Sequence, residues 1–312
     1  MSVFLPPLPP EVTLSQSLPA RTPPRTSPAV RLSSEPTAPV EVTKDSRFSS
    51  DFEDWLRQNG YGGYAFAQGD VPSFGGRARP GEKLAHEPVL FIHGNSDSAA
   101  GWEKSIEHFA AQGYQPSELY AMTWGSQNPL NSGQEHHSRK NEEEVRAFIQ
   151  AVKEYTGAEK VDIIGHSMGV TLARKAIQGG DGFDPYAGGG RYNLGAPLTD
   201  AVDTFVGIAG ANQGLASCAL TGDLLPTSNR QTGLHPQSKF LEELNAQPGF
   251  EGDHVYSIWS QSDQIVGVGL AQYTSPIPGQ DGQKVYTTYG HMGSRDLSVQ
   301  TQLEMVQEHK VR

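Results

Sequence analysis

Apolar residues recur along the chain in two alternating patterns. The run "EPVLFIHG" (87–94) is short, apolar and closed by glycine, as in a strand buried on both faces. "GWEKSIEHFAAQG" (101–113) follows, with Trp102, Ile106, Phe109 and Ala110 at helical spacings and a glycine stop. The alternation repeats. "ELYAMTWG" (118–125) predicts a strand, and "NEEEVRAFIQAVKEYTG" (141–157) predicts a helix with an acidic start and Val145, Phe148, Ile149 and Val152 on one face. "KVDIIG" (160–165) is the next strand, with a helix over 168–178. Further strands are expected at 202–210, 254–260 and 284–290, and a closing helix at 296–309. Strands recurring between helices predict an α/β fold, a mostly parallel sheet covered by helices on both faces.

Three segments depart from this rhythm. Residues 1–47 hold ten prolines among many serines and threonines and show neither period, so a flexible or extended arm is expected before a globular domain over 48–312. The glycine-rich stretch 178–198 and the long connection 212–250 exceed an ordinary crossover. Each reads either as a lid over a site or as a surface excursion.

Charge and cysteine content narrow the chemistry. Thirty-five acidic residues against 24 basic ones give a net charge of −11, which argues against nucleic acid or an anionic membrane as the main partner. Cys218 is the single cysteine, so neither an intrachain disulfide nor a thiolate metal cluster can form. The start "MSVFLPPLPP" is broken by proline where a signal peptide would be continuously apolar. A cytoplasmic chain is expected, or a secreted one whose leader has been removed. No window reaches the roughly 20 apolar residues of a membrane span. Oligomeric state is left open.

One motif carries chemistry. In Gly165-His166-Ser167-Met168-Gly169, a strand runs straight into a helix, and the small flanking residues allow the tight elbow that exposes Ser167 as a nucleophile. Such a serine needs a histidine to take its proton and an acid to orient that histidine, in the order serine, acid, histidine. His291, in the expected loop between the last strand and the last helix, is favoured over His235 and His254. Asp263, just past a strand end with Ile265 and Val266 able to pack below its loop, is favoured over Asp200, Asp203 and Asp296. The oxyanion donors expected are the backbone amides of Met168 and Asn95, with His93 structural or part of a pocket wall.

Together "FIHGNSDSAAGW", "VDIIGHSMGV", "GIAGANQGLASC", "SDQIV" and "YGHMGSRD" resemble the α/β-hydrolase superfamily, and more narrowly the class 2 lipases and related polyhydroxyalkanoate depolymerases, over roughly residues 85–310. The resemblance implies an eight-stranded, mostly parallel sheet and serine ester hydrolysis with no metal or cofactor. It assigns Ser167, Asp263 and His291 as the triad and Asn95 and Met168 as the oxyanion hole. A lipase-like ester with an apolar acyl part is the expected substrate, in a groove drawn from residues such as Met168, Trp124, Leu215 or Phe183. A polyester depolymerase, an acyltransferase, an amidase or peptidase, and a non-catalytic binding module are the alternatives. Cys218 stands in "GLASC" without the partner cysteine of disulfide-bonded relatives.

Overall fold

The structure, a computed structural model, describes residues 40–79, 81–186, 188–267 and 273–312. Most of the expected arm, residues 1–39, lies outside the described residues. Packing begins before residue 48, since Val42 is buried.

Six parallel strands form the central sheet, in the order β2-β1-β3-β6-β7-β8. They are β1 (Val89–Ile92), β2 (Leu119–Met122), β3 (Val161–His166), β6 (Val202–Ile208), β7 (His254–Ser260) and β8 (Gly282–Tyr286). β4 (Asp181–Asp184) and β5 (Gly190–Asn193) make a separate antiparallel pair. The helices are α1 (Ser50–Gln58), α2 (Glu103–Ala111), α3 (Arg139–Thr156), α4 (Met168–Gln178), α5 (Ala216–Thr221), α6 (Lys239–Asn245), α7 (His291–Asp296) and α8 (Val299–Glu308).

The continuous apolar runs are explained by cover on both faces. In β1, Leu90 and Ile92 enter one core with side chains of α1, α3 and α4, while Val89 and Phe91 enter a second with those of α2 and α8. β2 alternates likewise, Tyr120 and Met122 against Leu119 and Ala121. Period-two orientation therefore persists although every position is apolar. Local signals set the helix ends: the Ser138 hydroxyl caps α3 by accepting from the Asn141 N–H, and Gly157 ends it at φ 71°.

Two expectations are corrected. The central sheet of the described residues has six strands, not eight. Ahead of β1 the chain makes α1 and glycine- and proline-rich turns, touching edge strand β2 through one isolated bridge, Phe74 with Ala121. The expected strand 284–290 and helix 296–309 are also displaced. The strand ends at Tyr286, the unforeseen α7 begins at His291, and the terminal helix starts at Val299. α7 holds six residues including Gly293, too short for a helical period to emerge.

The two excursions carry structure of their own. Residues 178–198 contain the β4–β5 pair, and 212–250 contain α5, α6 and two 3-10 turns. The second is anchored through a buried ion pair, Arg174 Nε to Glu251 Oε1 at 2.8 Å, and through Arg174 Nη1 to Asn212 and Asn245.

Candidate active site

The chain places β1 between β2 and β3, so the order reverses beside β1, and a crevice is expected at the carboxyl ends of the strands. Asn95 follows β1, Ser167 follows β3, Asp263 follows β7 and His291 follows β8. Four separated stretches of sequence thus reach one end of one sheet.

Ser167 sits at φ 56° and ψ −127°, a conformation that costs a non-glycine residue about 1–3 kcal/mol. Its N–H donates to the Ile208 carbonyl at 2.9 Å. The glycines nearby are steric necessities. A Cβ on Gly169 would lie 2.2 Å from the His93 carbonyl oxygen, and one on Gly94 would lie 2.8 Å from Ser167 Cβ. The elbow and the loop after β1 are therefore in van der Waals contact.

His291 opens α7 rather than lying in a loop. Its Nδ1–H donates to Asp263 Oδ2 at 2.8 Å, and both residues are buried. Asp263 Oδ1 accepts from the Ile265 and Val266 amides at 2.8 and 2.9 Å. Burial alone would raise the Asp263 pKa, but the His291 hydrogen bond and charge with these two amides hold it below the ordinary carboxylate value. Val266 packs below the loop as expected, whereas Ile265 is exposed.

The histidine is held against the elbow by a residue whose role the sequence reading missed. His166 Nε2–H donates to the His291 carbonyl at 3.3 Å, and the two rings lie 4.7 Å apart. His166 is covalently next to Ser167, so this bond ties the His291 backbone to the elbow. The Gln264 side-chain oxygen accepts from the His291 amide at 3.1 Å.

The loop after β1 is fixed from both sides. Asn95 Nδ2 donates to the Ser132 carbonyl at 2.8 Å, so its side chain orders the loop. Asp97 pairs with Arg295 of α7 at 2.5 Å, joining this loop to the helix that begins with His291. Met168 is the first residue of α4, where backbone N–H groups have no partner inside the helix. His93 is structural. Its ring stacks on Trp124, its Nε2 accepts from the Trp124 amide, and burial pushes its pKa down to about 4.

Other candidates lie elsewhere. Asp203 and His254 are at the amino ends of β6 and β7, Asp200 is in a 3-10 turn before β6, Asp296 ends α7, and His235 is buried in the long excursion. Met168, Trp124 and Leu215 belong to the core, whereas Phe183 is exposed on β4. A cavity of about 220 Å³ is lined by Phe183, Tyr192, Glu142 and Lys175. It adjoins the last turns of α4, roughly 10 Å along the helix from the elbow at 1.5 Å per residue, and is separate from it.

Comparison with known proteins gives the same architecture. The crystal structure of Aspergillus fumigatus lipase B matches 88% of this chain and 62% of its own, with TM-score 0.54 and 15% identity. The mature form of Bacillus licheniformis lipase BlEst2 matches 75% of this chain and 97% of its own, with TM-score 0.50 and 13% identity. At these identities the likeness is one of fold, the α/β-hydrolase fold. The model of the family described as Lipase (class 2) matches residues 86–304, well over half of the chain. The chain belongs to the class 2 lipase family of carboxylic-ester hydrolases.

Proposed function

We propose that this protein hydrolyses carboxylic esters with an apolar acyl part through an acyl-enzyme on Ser167. The observation that carries this reading is the buried Asp263–His291 hydrogen bond, tied by His166 to a serine in a strained elbow. Ser167 Oγ attacks the ester carbonyl and passes its proton to His291 Nε2, while Asp263 holds the ring and offsets the imidazolium charge. The Met168 and Asn95 amides donate to the oxyanion. His291 then protonates the departing alcohol, and a water activated by the same ring releases the acid.

The apolar preference is supported by the surface around these residues. Ile265 and Met292 are exposed next to Asp263 and His291. Leu130 and Leu224 are 91% and 86% exposed. Leu130 belongs to the turn whose Ser132 carbonyl holds Asn95, and Leu225 packs at Gly133 of that turn. Apolar side chains left in water on both sides of a site suit a substrate presented as a lipid aggregate or a polymer surface.

A panel of short soluble esters, emulsified triacylglycerols and amorphous polyester films tests the substrate class. The reading expects emulsion hydrolysis to exceed film hydrolysis and Asp263→Asn to lower it by about 10⁴-fold without unfolding. Rapid film cleavage with negligible triacylglycerol cleavage would replace the lipid substrate by a polyester. Turnover confined to soluble short esters would remove the apolar preference.

A further inference from the structure

The amino ends of the strands, opposite the site above, gather side chains that the reaction does not use. Asp203 is the second residue of β6, His254 opens β7, and His309 closes α8. One donor atom of each lies within 4.8 Å of the other two. His309 Nε2 is 3.0 Å from Asp203 Oδ2, and the His254 and His309 rings stack with centroids 3.9 Å apart. Asp203 also lies beside Glu87 and Asp162, with one carboxylate oxygen of each within 4.8 Å of the other two. Asp162 is only 3% exposed, and one of its oxygens accepts from the Thr204 amide. The ammonium of Lys160 is engaged by Asp253.

We propose that Asp203, His254 and His309 form a binding site for a divalent transition cation of the zinc class, with a structural rather than a catalytic role. Two imidazole nitrogens with one carboxylate oxygen suit zinc, nickel or copper, whereas calcium and magnesium take oxygen donors. The surrounding charge favours a cation, because the exposed carboxylate of Glu87 lies beside Asp203. The geometry is near what zinc requires. Bonds of about 2.0–2.1 Å put tetrahedral ligands about 3.3 Å apart, close to the His309–Asp203 separation.

Loading changes two things. The metal takes the place of the proton between His309 and Asp203, which is released to solvent. The stacked rings, 18° from parallel, must turn so that both lone pairs converge. His309 is exposed at the end of its helix, where such a turn meets little resistance. Water completes the coordination. The ion then clips the end of α8 to the amino ends of β6 and β7.

Isothermal titration of the chelator-treated full chain with zinc chloride at neutral pH, with parallel thermal unfolding, tests this. The expected result is one zinc per chain, a raised unfolding midpoint, and no effect of magnesium or calcium. His254→Gln and His309→Gln should each weaken binding by at least about tenfold while leaving metal-free ester hydrolysis unchanged. Absence of saturable binding to the unaltered chain would overturn the proposal. So would a His254→Gln/His309→Gln double variant that binds zinc as the unaltered chain does.

Discussion

A side chain larger than hydrogen at Gly94 or Gly169 would collide with the elbow or with the strand beside it, so the Ser167 hydroxyl has its position set by backbone contacts. The imidazole depends instead on three hydrogen bonds, from its ring to Asp263, from its amide to Gln264, and from His166 to its carbonyl. The last has a specific consequence. His166→Ala should lower kcat by about 10–100-fold with KM nearly unchanged, because the ring is displaced while the surface that binds substrate is intact. His166→Gln, which keeps a donor, should retain more of the rate. A change confined to KM in steady-state kinetics would contradict this positioning role. The placement of Ser167, Asp263 and His291 beyond the carboxyl ends of β3, β7 and β8 was legible in the sequence because each follows a recognisable apolar run. The role of His166 was not, since its partner lies 125 positions away and nothing local marks the contact.

At the scale of elements, β1, β2, β3, β6 and β7 were read close to their observed bounds because burial on both sheet faces leaves unbroken apolar runs, whereas half-buried β8 was placed too late. Elements too short for a period escaped, above all α7, although it carries His291 and joins the Asn95 loop through Arg295 and Asp97. The number of strands failed for a different reason. It came from resemblance, whereas the segment ahead of β1 has the glycine and proline content of turns. The excursion 212–250 is pinned by Arg174 and Glu251, both fully buried. Glu251→Ala should cost about 3–5 kcal/mol by leaving a buried guanidinium unpaired, whereas Arg174→Met with Glu251→Leu should recover much of that loss. Chemical denaturation of the unaltered chain and the two variants measures this, and a double variant no more stable than Glu251→Ala would contradict the pairing.

For the whole molecule, buried titratable groups set opposing dependences on pH. His93 and His137 are held down to about 4 and about 3, chiefly by burial, and His166 is lowered as well. Their depressed values mean stability that is fully present above the ordinary value of 6.5 and lost as pH falls through the folded values. Glu142 behaves oppositely. Burial raises it to about 8 against the lowering by Tyr192 and Lys175, so its contribution is full below 4.5 and lost as pH rises through 8. The unfolding midpoint should therefore peak between about pH 6 and 7 and fall on both sides, each pKa unit being worth about 1.4 kcal/mol. Glu142→Gln should flatten the alkaline side. A midpoint rising steadily from pH 5 to 9 would contradict this balance. No helix among the described residues is long and apolar enough to cross a membrane.

The central claim is that Ser167 carries the acyl group, and covalent trapping tests it most directly. The folded protein is treated with a serine-directed alkyl phosphonate, and its peptides are analysed by mass spectrometry alongside residual ester hydrolysis. The account predicts one phosphonate per chain on the peptide containing Ser167, with activity lost in proportion, and no labelling of Ser167→Ala. Stoichiometric inactivation with the label on another residue and Ser167 unmodified would contradict it.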